Sequence, residues 1–411
     1  MTKNFLYYMI GQGSWFLSQG LQMVLFPTIL VLMLNVSPAF YGLAQVSILA
    51  PSIFLIVLGG AIADRVDTRR LLGIIHLLAT LPLFLILFGL NYSFLSFQIM
   101  ILYGLTTGTA QAFALPARDS LLNKVADGNI QKTVITAMLI QFICQLSGMS
   151  MGGLADEWGI FPLVVMQILA LVVGGYFAFR LPKKQGTSSL PKLSEMFQEI
   201  AEGFNEVKKS KEIFPVVMAM AIVGICYMGN NLVALPYITT ERYGLGSAGF
   251  AIVTSSFWAG TVFSNVVLIL NQQLKNWGKI MVFNLFFGTI LIFLVFNVPF
   301  WVFCFLVFAW GSGAGVVISM SRTITQTFAK ETHRGRILSI YSLAIFSFGP
   351  LGALICGFII ENFGIANNVI ISSLTAMIAL SILVIKTAVS YTHLRAHETR
   401  HDLVCRLLLE K

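Results

Sequence analysis

Runs of apolar residues, each about as long as a membrane-spanning helix, alternate along the chain with short polar connections. A helix needs about 20 predominantly apolar residues to cross the hydrocarbon core. Charge-free stretches of that order fall at 5–34, 40–63, 71–90, 94–117, 133–155 and 159–179. Six more fall at 213–238, 247–270, 280–298, 300–321, 337–360 and 365–385. The pattern predicts an all-α membrane protein with twelve transmembrane helices, whose ends hydropathy sets only to a few residues. One segment has a different period. Leu193, Met196, Phe197, Ile200, Phe204 and Val207 recur at helical spacing among charged residues. That predicts an amphipathic helix on the cytoplasmic membrane surface, for which a plain linker role, packed on the bundle, and a regulatory one are equally open.

The polar connections alternate in charge. One set carries Arg65, Arg69 and Arg70, then Arg118, Lys124 and Lys132, then Arg180 and the lysines of 183–211. It continues with Lys275, Lys279, Arg322, Lys330, Arg334 and Arg336. The opposite set has Arg242 as its only basic residue, with Asp156, Glu157, Glu241 and Glu361. Cytoplasmic connections carry the excess of Lys and Arg, so both termini and the long central loop are expected in the cytoplasm, in a plasma (inner) membrane.

Composition agrees. The chain has 411 residues, 57% hydrophobic and 10% charged, against about 25% charged in a soluble domain. A net charge of +9 raises the question of nucleic acid, but the charges sit where topology needs them, and no nucleic-acid partner is expected. Cys144, Cys226, Cys304 and Cys356 lie inside apolar stretches and form no disulfide or zinc pattern.

The chain divides into a first half (1–181), a cytoplasmic linker (182–212), a second half (213–388) and a tail (389–411). In the tail, His393, His397, His401 and Cys405 are spaced four apart, which on a helix would resemble a metal site. The tail instead resembles the translation of transposon-end and adapter DNA used in library preparation, and it is expected to be foreign to the protein. No metal site is assigned. The two halves match weakly at one offset: Arg118 with Arg322, Asp127 with Glu331, Gly148 with Gly352, Gly153 with Gly357, and Glu157 with Glu361. This predicts a parallel duplication about the membrane normal, with the substrate site between the halves near the midplane.

The sharpest motif joins the second and third stretches: Gly60-Ala-Ile-Ala-Asp64-Arg65-Val-Asp-Thr-Arg69-Arg70. Gly60 permits close helix approach. Asp64 is an anion at a helix end, suited to a helix N-terminus or an Arg in the other half, so it could lock one conformation. The motif resembles the signature loop G-x-x-x-D-R-x-G-x-R-R of the major facilitator superfamily, and departs from it at Asp67, where the family has Gly. The corresponding loop of the second half, 271–279, contains no acid. Arg118 in Pro116-Ala-Arg118-Asp119, its counterpart Arg322, Arg334 and Arg336 complete the predicted switch, although topogenic charge explains Arg118 and Arg322 as readily.

These stretches, with Gly349-Pro350-Leu-Gly352, resemble the branch of the superfamily that holds enterobactin exporters and macrolide efflux proteins. Gly148-Met-Ser-Met-Gly152-Gly153 is similar to the superfamily's exporter motif G-P-x-x-G-G, with Met149 in place of Pro. Close packing through Gly148 and Gly152 explains it equally well. The resemblance implies the major facilitator fold over residues 1–388, with helices one, four, seven and ten lining a cavity. The family's fourth-helix Arg would fall near Gly104, where this chain has none.

No charged residue lies within the twelve spans. His76 is the only imidazole there and reads as structural. A coupling proton would have to use Asp64 or the helix-end carboxylates. The candidate cavity residues are amides, hydroxyls and aromatics: Gln12, Trp15, Gln19 and Gln22 on one face of the first helix, Thr107 and Gln111, Gln141 and Gln145, Tyr227, Asn230, Asn231 and Trp310. Buried amides need partners, so interhelical bonding is the competing account. Gly311-Ser-Gly313-Ala-Gly315 is not a nucleotide loop, because no strand precedes it. No Walker A sequence and no catalytic constellation occurs, so neither a cofactor nor an enzymatic activity is expected. The expected function is secondary active transport by a monomer, with export of a small lipophilic, weakly polar or zwitterionic compound by alternating access. Import of a neutral nutrient, or a non-transporting scaffold or sensor, are the alternatives.

Overall fold

The computed structural model describes residues 3–125, 130–183, 193–270, 276–329 and 334–387. The tail with His393, His397, His401 and Cys405 lies outside the described residues, as do Asp127 and Glu331. The described residues are helical, with no strand among them. In the first half the spanning helices are α1 (Lys3–Met33), α2 (Pro38–Arg65), α3 (Thr68–Asn91), α4 (Phe97–Val125), α5 (Ile130–Gly152) and α6 (Ile160–Phe179). The second half has α7 (Ile213–Arg242), α8 (Ser247–Leu270), α9 (Trp277–Val295) and α10 (Phe300–Phe328). A continuous run Arg334–Lys386 follows, broken at Gly364 (φ 83°, ψ 164°) into α11 (334–363) and α12 (365–386). Among the described residues, nine helical stretches are long and apolar enough to cross a membrane, and the last of them takes in α11 and α12 together. The amphipathic segment forms a separate linker helix, Leu193–Lys209. Its Val207 is buried and its Phe204 exposed.

Several helices extend beyond the apolar stretches that mark them in sequence. α4 runs to Val125 and α10 to Phe328, each about two turns past its last uninterrupted apolar residue. Helical hydrogen bonding does not require apolar side chains, so a helix can continue into the polar zone where hydropathy falls. The fifth helix differs in the other direction. It ends at Gly152, and a short turn Ala155–Trp158 precedes Gly159.

The halves repeat each other. Within the first, α1 crosses α5 so closely that a Cβ on Gly20 would strike the backbone of Gln145, and a Cβ on Gly148 that of Leu17. Within the second, α7 crosses α11 through Gly224, Gly229 and Gly352 in the same way. Gly148 and Gly352, matched in sequence, therefore occupy equivalent crossings. Gly159 (φ 79°) and Gly364 (φ 83°) turn the chain at equivalent points, in a region that favours glycine. That turn corrects the sequence register by one residue. Asp156, not Glu157, stands where Glu361 stands, three residues before the glycine.

Contacts between the halves concentrate at the end that carries the acidic connections. There α2 packs on α11 and α5 on α8. A Cβ on Gly42 would stand 2.6 Å from the carbonyl oxygen of Ala353, and one on Gly153 2.7 Å from Cβ of Ala251. At the end with the basic connections, the carboxylate of Asp119 on α4 is close enough to Arg322 on α10 to feel its charge.

Candidate functional site

Two neighbouring cavities lie along α1. The first, about 160 Å³, sits inside the first half between α1, α2, α3, α4 and α6, with Trp15, Gln19, Gln22, Thr107, Gln111, Tyr103 and Gln167 on its wall. The second, about 320 Å³, lies between the halves, bounded by α1, α2, α7 and α8. Its polar groups are Gln19, Gln22, Gln45, Asn231, Thr239, Thr254 and the Tyr41 ring, and Phe26, Phe250, Trp258, Met23 and Met228 supply apolar wall. Gln19, Gln22, Ile48 and Leu49 line both. No Asp, Glu, Lys, Arg or His lines either one. The helix around Asn231 departs from α geometry: Gly224–Met228 and Asn230–Ala234 are π-helical, a distortion often found at functional sites.

The expected cavity residues separate into two groups. Trp15, Gln19, Gln22, Thr107, Gln111 and Asn231 line a cavity. Trp15 Nε1 donates to Gln111 Oε1 at 3.0 Å, so this pair is held in place. Gln19, Gln22 and Asn231 make no hydrogen bond among the described residues, which leaves their amides free for a solute. The second group binds helices together. Gln12 Nε2 donates to the carbonyl of Ala137 at 2.9 Å. Asn230 Nδ2 donates to Cys226 O and Ser372 Oγ, and its oxygen accepts from Asn368 Nδ2 at 2.8 Å. Tyr227 donates to Leu285 O at 2.9 Å. Gln145 Nε2 lies 3.3 Å from Met23 Sδ. Trp310 is buried against Phe257, and Gln141 lines neither cavity. Sequence reading missed Gln45 and Gln167. Gln45 donates to Tyr41 Oη at 2.8 Å, and Gln167 to Tyr103 Oη at 3.0 Å. Each is a single amide in an apolar span, outside any polar stripe, so spacing gave no signal.

The expected switch residues lie at the basic end. Gly60, Asp64 and Arg65 fall on the last turns of α2, and Arg334 and Arg336 on the first turn of α11; the side chains of these five are outside the described ones. Asp67, the departure from the signature, begins α3 and pairs with Arg69 Nε at 3.0 Å and Arg70 Nε at 3.7 Å. Arg322 is exposed on α10. Arg118 is 3% exposed. Its guanidinium carbon lies 5.0 Å from the Trp15 ring and 4.8 Å from the Phe16 ring, and neither terminal nitrogen has a hydrogen-bond partner. His76 is also fully buried. Its Nδ1 lies 2.8 Å from Leu72 O, and its ring meets Trp15 edge-on at 5.0 Å. Gly152 packs on Val24, Gly349 on Met228, and Pro350 lies within α11.

The Major Facilitator Superfamily model matches residues 8–349. A relative, the Staphyloferrin A transporter of Staphylococcus aureus (strain NCTC 8325 / PS 47), is 24% identical over 383 residues, covering 90% of this chain and 91% of that protein. Among solved structures, the nucleoside transporter NupG superposes with a TM-score of 0.76 at 13% identity, covering 93% of this chain and 98% of that one. A bacterial homolog of the human lysosomal transporter Spinster superposes with a TM-score of 0.65 at 14% identity, covering 95% and 97%. Likeness at these identities carries the fold alone.

Proposed function

The chain belongs to the Major Facilitator Superfamily, and from that premise we propose that it is a secondary active exporter of a small lipophilic, weakly polar or zwitterionic compound, working by alternating access. The observation that carries the substrate class is the cavity of about 320 Å³ between α1, α2, α7 and α8. Its wall joins free amides at Gln19, Gln22 and Asn231 to aromatic and methionine surface, with no ionised side chain. A dianion entering it would lose its hydration against groups that cannot neutralise it. A neutral or internally compensated solute would exchange water for amide hydrogen bonds and apolar contact. Of drug-like and siderophore-like cargo, the staphylococcal relative favours the siderophore-like.

The excess of Lys and Arg at the basic end supports a cytoplasmic orientation for it, and the close packing at the acidic end then supports a cavity closed on the outer side. Asp64 with Arg65, Arg69 and Arg70 would then close the inner side in the opposite state, with Arg118, Arg322, Arg334 and Arg336 around them. Everted and right-side-out vesicles carrying the protein, challenged with a panel of labelled siderophores and lipophilic drugs, test this directly. Uptake confined to everted vesicles is expected. Uptake confined to right-side-out vesicles would make the protein an importer. Asp64→Asn is expected to abolish that uptake while membrane insertion stays intact; unchanged uptake would remove the inner gate from the account.

A further inference from the structure

The acidic end contains two helix N-termini that are capped from the opposite half. A helix leaves its first N–H groups without internal partners, and a serine at its start ordinarily supplies a cap. Ser37 precedes α2 but makes no cap bond to its own helix. Its hydroxyl instead donates across the interface to Glu361 Oε2 at 2.6 Å, and the same oxygen accepts the Ala39 N–H at 2.9 Å. Glu361 thus caps α2 from α11. On the other side of the pseudo-twofold, Asp156 follows α5 and faces the start of α8. Its Oδ2 lies 3.4 Å from the Ala248 N–H. Ser247 Oγ donates to the Gly153 carbonyl at 3.0 Å and accepts the Asp156 N–H at 3.1 Å. The fit is tight: a Cβ on Gly246 would stand 2.5 Å from the Asp156 carboxylate.

We infer that Asp156 and Glu361 are paired positioning residues of the transport cycle, each holding the outer side closed by capping a helix of the opposite half. The inference rests on the transporter reading and identifies which groups must separate for the outer side to open. A carboxylate at a helix N-terminus is held by the unpaired N–H groups and the helix dipole together. Both bonds cross the interface, so neither survives outward opening. Asp156 and Glu361 are exposed, and α2 and α8 could be capped by their own serines or by water once the halves part. This separates them from Tyr237, which also crosses the interface, donating to Val36 O at 2.6 Å, but is buried and packed edge-on against Tyr41.

The test reads the distance between the halves without a substrate. Spin labels go on Phe94→Cys, between α3 and α4, and Phe296→Cys, between α9 and α10, both exposed at the acidic end. Cys144 and Cys405 are replaced by serine. Glu361→Gln and Asp156→Asn are each expected to raise the ratio of long to short distances roughly two- to fivefold, the range a surface carboxylate at a helix N-terminus supports. The effects multiply in the double variant, because the sites share no partner. Ser37→Ala shifts the ratio the same way while leaving Glu361 charged, and Glu361→Asp restores part of the short population. Distance distributions unchanged in both single variants and in Ser37→Ala would overturn the inference. Because no substrate enters the measurement, this result is independent of whether the vesicle assay finds a cargo.

Discussion

Arg118 shows how an apparently topogenic residue differs once its surroundings are known. In sequence it sits where a helix end would place a basic residue. In the structure it is buried between α1 and α4, over Trp15 and Phe16, with unpaired terminal nitrogens. Desolvation there opposes two ring contacts and the attraction of the neighbouring Asp119 carboxylate. Desolvating a cation costs several kcal/mol, and two ring faces return about 0.5–2 kcal/mol each. The balance does not favour the cation as a structural element. Arg118→Met, which keeps the length and removes the charge, is therefore expected to leave the melting temperature unchanged or higher while transport falls. A lower melting temperature with transport retained would make Arg118 a packing residue. The amides were legible only in part for a related reason. On α1, Gln12 and Gln19 share a stripe, yet Gln12 bonds to α5 and Gln19 faces a cavity, because the same helix face meets another helix over one turn and open space over another.

At the scale of the element, glycines were the informative letters. Gly148 and Gly352 were legible as a repeat because a close crossing tolerates no side chain, and the structure places both at such crossings. Gly148→Val would push a branched side chain into the Leu17 backbone. It is expected to destabilise the first half by about 1–3 kcal/mol, in the range for overpacking, visible as a lower unfolding midpoint in mild detergent. Gly153→Ala, which meets Ala251 Cβ on the opposite half, is expected instead to act on the outer seal, raising the long-distance population with little change in the midpoint. The period of the apolar pattern identified the helices well and their ends poorly, since a helix such as α4 continues past the point where its side chains cease to be apolar. The one-residue slip between Asp156 and Glu157 had no sequence signal. Both are acidic, and only the positive-φ glycines fix the register.

At the scale of the molecule, the two-fold repeat, the basic and acidic ends and the absence of charge from the cavity walls were all legible, because each follows from the cost of placing polar groups in lipid. Which end is closed was not. Both states of an alternating-access protein share one sequence and one set of helices, and differ in contacts worth little individually. Those contacts reside here in a few interfacial groups at the acidic end, while the cavity bounded by α1, α2, α7 and α8 lies between the halves beneath them. Rocking of the halves about this cavity requires its wall to be reached from the basic end in the state seen here, and from the acidic end only after the outer caps release.

Gln22 lines both cavities, which makes it the most direct reporter of that claim. With Gln22→Cys as the probe and Cys144 and Cys405 replaced by serine, a membrane-impermeant thiol reagent is applied separately to each face of sealed vesicles. Labelling is expected to be faster from the basic-loop face, and to increase from the acidic-loop face when Asp156→Asn and Glu361→Gln are added. Faster labelling from the acidic-loop face in the parent protein, or labelling from neither face, would contradict that claim.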